Sequence, residues 1–451
     1  MNWSLREKMA ANIKPENYAL WHGSSMMSSV IKDADAAKWI VEGKGVRVRD
    51  ASGHWFLDAR SSLWNVTLGY DNQEIIRAIK NQLDTLPFTQ IIRYERPHEL
   101  AVRFANNLQR ALEQLGKYYV RFGNTGSQMT ESAFMLSRYI RLAAEQNAKK
   151  TIILSLWDGY HGTGGGATAL TGERILHDLF QPLMPDMDHV EAPYCYRCSW
   201  QKTFPSCQLA CLNAIEDKIL AIGSERISAI FVEPILGTGG IVPPHGYLKG
   251  IEQLCRKYDL HFIVDEVTTG FGRVGHLTRS EQIDVRPDMI VLGKGITSGY
   301  VPAAALAVSD RLYDQVFDLP SQWFFAQGST TDGHPLAMAA GQAVLDILQG
   351  DGFFDSIQTT GHYLGNLLTT LKKQHSIIGD VRGVGMMWAI ELVDHFGQPW
   401  SKMHSIRLAC ENRGVLINTT LNCIMILPPI TLTKADCDEL VSAIDQALDE
   451  E

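Results

Sequence analysis

Residues 262–267 read Phe262-Ile263-Val264-Asp265-Glu266-Val267. An unbroken apolar run of this length, without polar alternation, is what a strand buried on both faces requires, and here it ends on a carboxylate. Working outward, the same kind of run recurs at Tyr118–Phe122, Thr151–Leu156, Ile227–Val232, Met289–Leu292 and Ala303–Val308, with the central strand starting at His261. Helical patterns lie at Pro97–Leu115, Gln128–Glu145 and Gly246–Lys257. The alternation predicts a large α/β domain over residues 66–332, a mostly parallel sheet with helices on both faces. The flanks differ. Gly45–Asp58 alternates around an Ala-Ser-Gly turn and predicts a hairpin, Leu336–Leu348 an alanine-rich helix, and strand and helix patterns follow around Val384–Leu392 and Asp436–Leu448. Residues 1–65 and 333–451 are therefore expected to form a smaller α+β domain, with a ligand cleft between the two units.

Composition sets the class. The chain has 451 residues, 45% hydrophobic and 20% charged, ample for more than one packed core and unlike a disordered or fibrous chain. Lys plus Arg number 41 against 50 Asp plus Glu, a net charge of −9, so no general nucleic-acid footprint is expected. No apolar run approaches the roughly 18 residues of a membrane span; Val301–Val308 is among the longest. Met1–Lys8 lacks the order of a signal peptide, and eight cysteines in this length are not a disulfide framework. A soluble, cytoplasmic protein is expected.

Four features follow predicted strands. Gly123-Asn124-Thr125-Gly126-Ser127-Gln128 leads into a helix whose first N–H groups, dipole and Ser127 hydroxyl suit a phosphate, although Ser is also an ordinary helix cap. Asp158-Gly159-Tyr160-His161-Gly162 places an aromatic ring where it can stack on a planar group, or simply pack. Asp265 ends a buried strand and needs a cationic or donor partner; a pyridinium N–H would serve, as would a structural salt bridge. Leu292-Gly293-Lys294-Gly295-Ile296 sets a lysine between glycines, where partial desolvation would favour a nucleophilic amine over a solvated one. Phosphate cradle, stacking ring, pyridinium partner and Schiff-base lysine together are the requirement for pyridoxal 5′-phosphate.

The chain resembles the class III, fold-type I aminotransferases of the ω-aminotransferase subgroup, from Leu20-Trp21-His22 to Leu427-Pro428-Pro429. The resemblance rests on Ser62-Leu63-Trp64-Asn65-Val66, Tyr160-His161-Gly162, Phe231-Val232-Glu233-Pro234-Ile235, Gly293-Lys294-Gly295 and the stretch from Asp265 to Arg273 (DEVTTGFGR). It implies that Lys294 forms the internal aldimine and shuttles a proton, that Asp265 pairs with the pyridine nitrogen, and that Val267 and Tyr160 cover the two ring faces. It also implies that Gly126 and Ser127 hold the phosphate, that His161 belongs to the cofactor site and that Glu233 supports Asp265. Thr330, within Gly328–Pro335, is similar to a phosphate-binding Thr donated by a partner subunit, which implies a homodimer with two interfacial sites. Trp64 takes the position of an aromatic wall of the substrate pocket.

Two departures concern substrate. Members that act on ornithine or 4-aminobutyrate carry a Glu after the Glu-Pro motif and an Arg before the C-terminal Pro-Pro; here the positions hold Thr238 and Met425. The Arg of amine:pyruvate enzymes corresponds to Asn418, an uncharged donor. Either another Arg receives a substrate carboxylate, with Arg60, Arg93 and Arg96 as candidates, or one substrate lacks an α-carboxylate; Arg382 reads as structural. Cys195, Cys198, Cys207 and Cys211 have spacings that suit packed thiols better than zinc, and no catalytic-metal motif is present. The expected activity is amino transfer from a primary, terminal amine to a carbonyl acceptor by ping-pong chemistry. An aminomutase or racemase would use the same residues, and a non-catalytic scaffold is the reading from another class.

Overall fold

In the computed structural model the described residues are 18–451; Met1–Lys8, read above for targeting, lies outside them. The centre is a seven-stranded sheet in the order Tyr118–Gly123, Ala304–Ser309, Met289–Leu292, His261–Asp265, Ile227–Val232, Ile152–Leu156, Met187–Val190. Neighbours from Met289–Leu292 to Met187–Val190 are parallel, while Ala304–Ser309 runs antiparallel to both of its partners. The edge strand Met187–Val190 was not expected from sequence, because Asp188 and His189 interrupt its apolar character.

Successive side chains of a strand face opposite ways, and this assigns each helix its surface. Ile263, Phe231, Met289 and Val291 point to the helix Gly126–Ala143, where they bury Met129, Ala133, Phe134 and Ile140. Phe262, Val264, Ile230 and Val232 point the other way, onto Ala210–Ile222 and Tyr247–Lys257. Further along the second face, Ile290, Leu292 and Ala305 meet Phe104, Leu108, Met338 and Leu345 of the helices Glu99–Ala111 and Pro335–Leu348. Each such side chain, once fully buried, contributes on the order of 1.5–3 kcal/mol. The same alternation puts Asp265 on the face of Ile263, at the start of the Gly126–Ala143 helix.

The chain ends build two four-stranded sheets. Ile40–Lys44, Arg47–Asp50 and Trp55–Asp58 form a meander, and Val415–Leu416 joins it parallel to Leu57 and Asp58. The second sheet is Ile378–Val384, Met387–Leu392, Cys423–Ile426 and Asn418–Thr420. The parallel pairing draws C-terminal residues to the N-terminal segment beside the large sheet. Among the described residues, no helix is long and apolar enough to cross a membrane.

Candidate active site

Five loops leave the carboxyl ends of the parallel strands at one edge, the usual ligand position in an open α/β sheet. The helix Gly126–Ala143 starts there. Thr125, and not Ser127, is its cap: the Thr125 hydroxyl accepts from the Gln128 N–H at 3.1 Å. Ser127 is therefore left in the first turn, where its Oγ accepts the Thr163 N–H at 3.2 Å. Gly162 closes over it with φ +113°, and a Cβ there would stand 2.7 Å from Ser127 Cβ. A small anion fits this cradle of N–H groups, and a side chain at residue 162 does not.

Val267 sits between two glycines. A Cβ at Gly126 would meet its methyls at 3.2 and 3.3 Å, and one at Gly293 would do the same. The glycines thus bring the phosphate-type cradle, Val267 and the Lys294 loop into direct contact.

Asp265 is 4% exposed. Its Oδ1 accepts the Val267 N–H at 3.0 Å, and its Oδ2 lies 2.8 Å from Nδ1 of the equally buried His161. The His161 ring meets Phe231 edge-on and its Nε2 has no partner. Glu233 accepts the N–H groups of Tyr160 and Gly237, both at 2.9 Å, and so ties the loop after Ile152–Leu156 to the loop after Ile227–Val232. Burial holds the Glu233 carboxyl well above its ordinary range, and the Asp265 charge adds to this.

Lys294 opens the loop after Met289–Leu292 with φ +41°. Its Nζ hydrogen-bonds Thr268 Oγ1 at 3.0 Å and lies 5.3 Å from the centre of the Trp64 ring. Burial lowers its pKa, against the raising effect of the Asp265 and Glu233 charges. Trp64 is itself held with φ +65° at the end of a turn that includes Ser61 and Ser62, also at positive φ. Arg273, fully buried, fixes this turn: its guanidinium donates to Ser61 Oγ and to the carbonyls of Met386 and Pro428.

Residues 31–448 match the family model described as "Aminotransferase class-III". The chain belongs to the class-III aminotransferases. It is 32% identical over 443 residues to a diaminobutyrate–2-oxoglutarate transaminase of Halomonas elongata, covering 95% of this chain and 93% of that enzyme. A putrescine–pyruvate aminotransferase of Pseudomonas aeruginosa is 31% identical over 422 residues, 92% of this chain and 91% of the relative. An amine transaminase from an uncultivated Pseudomonas species, solved in its PLP-bound internal aldimine form, superposes with a TM-score of 0.92 at 31% identity, covering 97% of this chain and all of that one. Pyridoxal 5′-phosphate is the cofactor of this class-III aminotransferase. The residues at the strand ends fit it: an anion cradle, Val267 packed against Gly126 and Gly293, a buried carboxylate and a half-buried amine.

The remaining sequence candidates divide. Tyr160 stays partly exposed beside Glu233, and burial raises its phenol. Asn418 and Met425 face each other across a strand pair. Met425 is fully buried with Ile235, Val274, Met387, Ala389 and Leu427 and lies behind Gly240, so it backs the cleft and presents no open surface. Arg60 is paired with buried Asp58, its Nε 3.2 Å from Oδ1, while Asp58 Oδ2 holds the turn by accepting the Ser62 N–H. Arg382 is committed to Asp380, Glu391, Tyr194 and the Gly240 carbonyl, a structural hub. Arg93 and Arg96 are exposed. Arg93 lines a cavity of about 740 Å³ with Tyr94, Phe324, Gln327 and Thr330. Among the described residues no group of three or more His, Cys, Asp or Glu side chains is placed to hold a metal, and Cys195, Cys198, Cys207 and Cys211 are free thiols.

Sequence reasoning missed Thr268, although it stands inside the quoted DEVTTGFGR stretch directly after Val267. It also missed Glu173, whose Oε1 accepts from Thr238 Oγ1 at 2.8 Å.

Proposed function

We propose that this class-III aminotransferase moves an amino group from a terminal primary amine to a carbonyl acceptor in two half-reactions, with Lys294 as the amine that carries the cofactor and the proton. One observation supports this most: the half-buried Lys294 Nζ hydrogen-bonds Thr268, among the described residues forms no ion pair, and has its pKa lowered by desolvation. Burial without a carboxylate partner favours the uncharged, nucleophilic form. When bound, pyridoxal 5′-phosphate supplies an aldehyde and a ring that takes up the electron pair of the broken C–H bond.

The chain's own groups do the rest. Gly126 and Ser127 bind the phosphate at the helix start, and Gly162 keeps that cradle closed to side chains. Val267 and Tyr160 confine the ring from its two faces. Asp265 would accept a hydrogen bond from the protonated ring nitrogen and keep it protonated, and His161, through its 2.8 Å contact, fixes the carboxylate's orientation. Glu233 locks the Tyr160 and Gly237 loops. Lys294 Nζ takes the proton from the donor carbon and returns it at the far side of the transfer, on a path bounded by Trp64 and Thr268. Asn418 and the buried Met425 leave no cation where family members hold a substrate carboxylate, and Arg60 is taken by Asp58. Two relatives are named for diaminobutyrate and putrescine, donors with a terminal amine. The active unit is a homodimer in which the partner subunit's Thr330 completes the phosphate site. Residues 66–332 form the cofactor domain, and the described part of 1–65 with 333–451 the smaller one.

Borohydride reduction of the holoprotein followed by peptide mass spectrometry is expected to find the cofactor on Lys294, and added primary amine to bleach its visible absorbance. Cofactor on another lysine, or an amine-insensitive spectrum, refutes the reading. Lys294→Ala is expected to lose the covalent link yet retain phosphate-dependent cofactor binding.

A further inference from the structure

The loop that follows Thr171 carries a half-buried carboxylate, Glu173, that the chemistry above does not use. We propose that Glu173 is a specificity-determining residue, receiving the distal ammonium of a diamine donor whose other amine reacts at Lys294. This rests on the aminotransferase reading and narrows its substrate.

Glu173 is placed by contacts that lead back to Lys294. Thr238, itself buried, donates to Glu173 Oε1 at 2.8 Å. The preceding residue, Gly237, packs so closely that a Cβ there would stand 3.1 Å from the Trp64 ring and 3.8 Å from Thr268 Oγ1, the atom that holds Lys294. Glu173 is also near enough to Tyr160 for its charge to act on the phenol, alongside those of Glu233 and Asp265. A short chain of contacts, Glu173 to Thr238, Thr238 to its neighbour Gly237, and Gly237 to Trp64 and Thr268, thus links the carboxylate to the reacting amine.

Its charge is not neutralised within the chain. Among the described residues Glu173 forms no ion pair, and it is only partly buried. The adjacent Arg174 turns away: it pairs with Glu191 at 2.9 Å and lies over the Trp157 ring. Three buried or half-buried arginines are committed, Arg60 to Asp58, Arg382 to Asp380 and Glu391, and Arg273 to carbonyls and Ser61; Arg93 and Arg96 are exposed. Glu173 Oε1 is oriented by Thr238 and Oε2 is left for a donor. A distal ammonium would gain a charge-assisted hydrogen bond there, whereas a distal carboxylate would meet repulsion from Glu173.

The test measures kcat and KM of the holoenzyme for 1,4-diaminobutane, butylamine and 4-aminobutanoate with one acceptor. Wild type is expected to favour the diamine over butylamine, and Glu173→Gln to lower that kcat/KM ratio roughly ten- to a hundredfold, mainly through KM. Thr238→Val, which frees the carboxylate without removing it, is expected to lower the ratio several-fold. It also serves as the second variant should Glu173→Gln fold poorly. Glu173→Arg is expected to shift preference toward 4-aminobutanoate. A wild type indifferent to the second amine, or a ratio within twofold of wild type in Glu173→Gln, overturns the proposal while butylamine turnover leaves the aminotransferase reading standing. Failure of every amine to alter the cofactor spectrum overturns both.

Discussion

Gly162→Ala is the sharpest probe of how the phosphate cradle is built. The residue has φ +113°, where an L side chain is strained by about 1–2 kcal/mol. Its new Cβ would also stand 2.7 Å from Ser127 Cβ and 2.9 Å from Ser127 Cα. Both are too close for carbon contacts, and neither atom is the free end of a flexible chain. The first turn of the Gly126–Ala143 helix or the 158–163 loop must therefore move, and Ser127 Oγ loses its aim. A hydrogen bond to a charged group is worth about 1.5–3 kcal/mol, which at about 1.4 kcal/mol per decade is a roughly ten- to hundredfold loss in cofactor affinity. The assay is titration of apoenzyme with pyridoxal 5′-phosphate, read by visible absorbance, with thermal unfolding of the apoenzyme to register the backbone strain separately. Gly165→Ala is the control, because a Cβ there meets nothing within 4 Å. Cofactor affinity of Gly162→Ala within twofold of both wild type and the control refutes the placement of the phosphate at Ser127.

Two further outcomes follow from buried histidines. His161→Phe leaves the Asp265 carboxylate with only the Val267 N–H. A buried acceptor short of a donor costs about 1–3 kcal/mol, so cofactor affinity and kcat should both fall about tenfold or more while the apoenzyme still folds; an unchanged kcat would refute the positioning role. His189 is stacked on Trp157 with Nε2 on the Leu170 carbonyl, and burial lowers its pKa from 6.5 to about 4. A depressed pKa contributes stability that is present above 6.5 and is lost as the pH falls toward 4. Linkage gives about 2 kcal/mol lost between pH 7 and 5. Urea unfolding of His189→Gln should show that much less dependence over this interval, and an identical pH slope would contradict the assignment.

The buried strand at 261–265 was legible because a strand covered on both faces is written as an apolar run, and the acid at its end stood out against that run. The strand Met187–Val190 was not, since an edge strand needs only one paired neighbour and tolerates Asp188 and His189. The reversed direction of Ala304–Ser309 escaped the composition of the run, which is the same in either sense. Its cause lies in the connection: the short segment from Gly293 to Ala303 holds only a single helical turn, too little for the crossover helix that a parallel return requires. Thr125 and Ser127 are both good caps, and the choice between them depends on where the strand Tyr118–Gly123 releases the chain, which propensity does not encode. Thr268 was in view but had no signal of its own, because a hydroxyl becomes informative only when the amine it holds has been placed. Glu173 meets its partner across 65 positions of sequence.

The same limit explains why cofactor chemistry was readable and substrate was not. The cofactor's demands are local: each strand end delivers one group, and the sheet aligns the strand ends whatever lies between them. Substrate charge is settled by which ions neutralise one another across the cleft. Arg60 looks like a carboxylate receptor until Asp58 is found against it, and Arg382 until Asp380 and Glu391 are. Thr238 looks like the loss of a charge until its hydroxyl is seen to orient Glu173. Met425 is paired between Ala389 and Asn418 in an apolar cluster, where an unpaired guanidinium would cost several kcal/mol. With Thr238 in place of an acid, a cation at position 425 would have no partner, so the loss of one charge makes the loss of the other favourable. Glu173 is left without an ion pair among the described residues, and the proposed preference for a donor's ammonium end rests on that uncompensated sign.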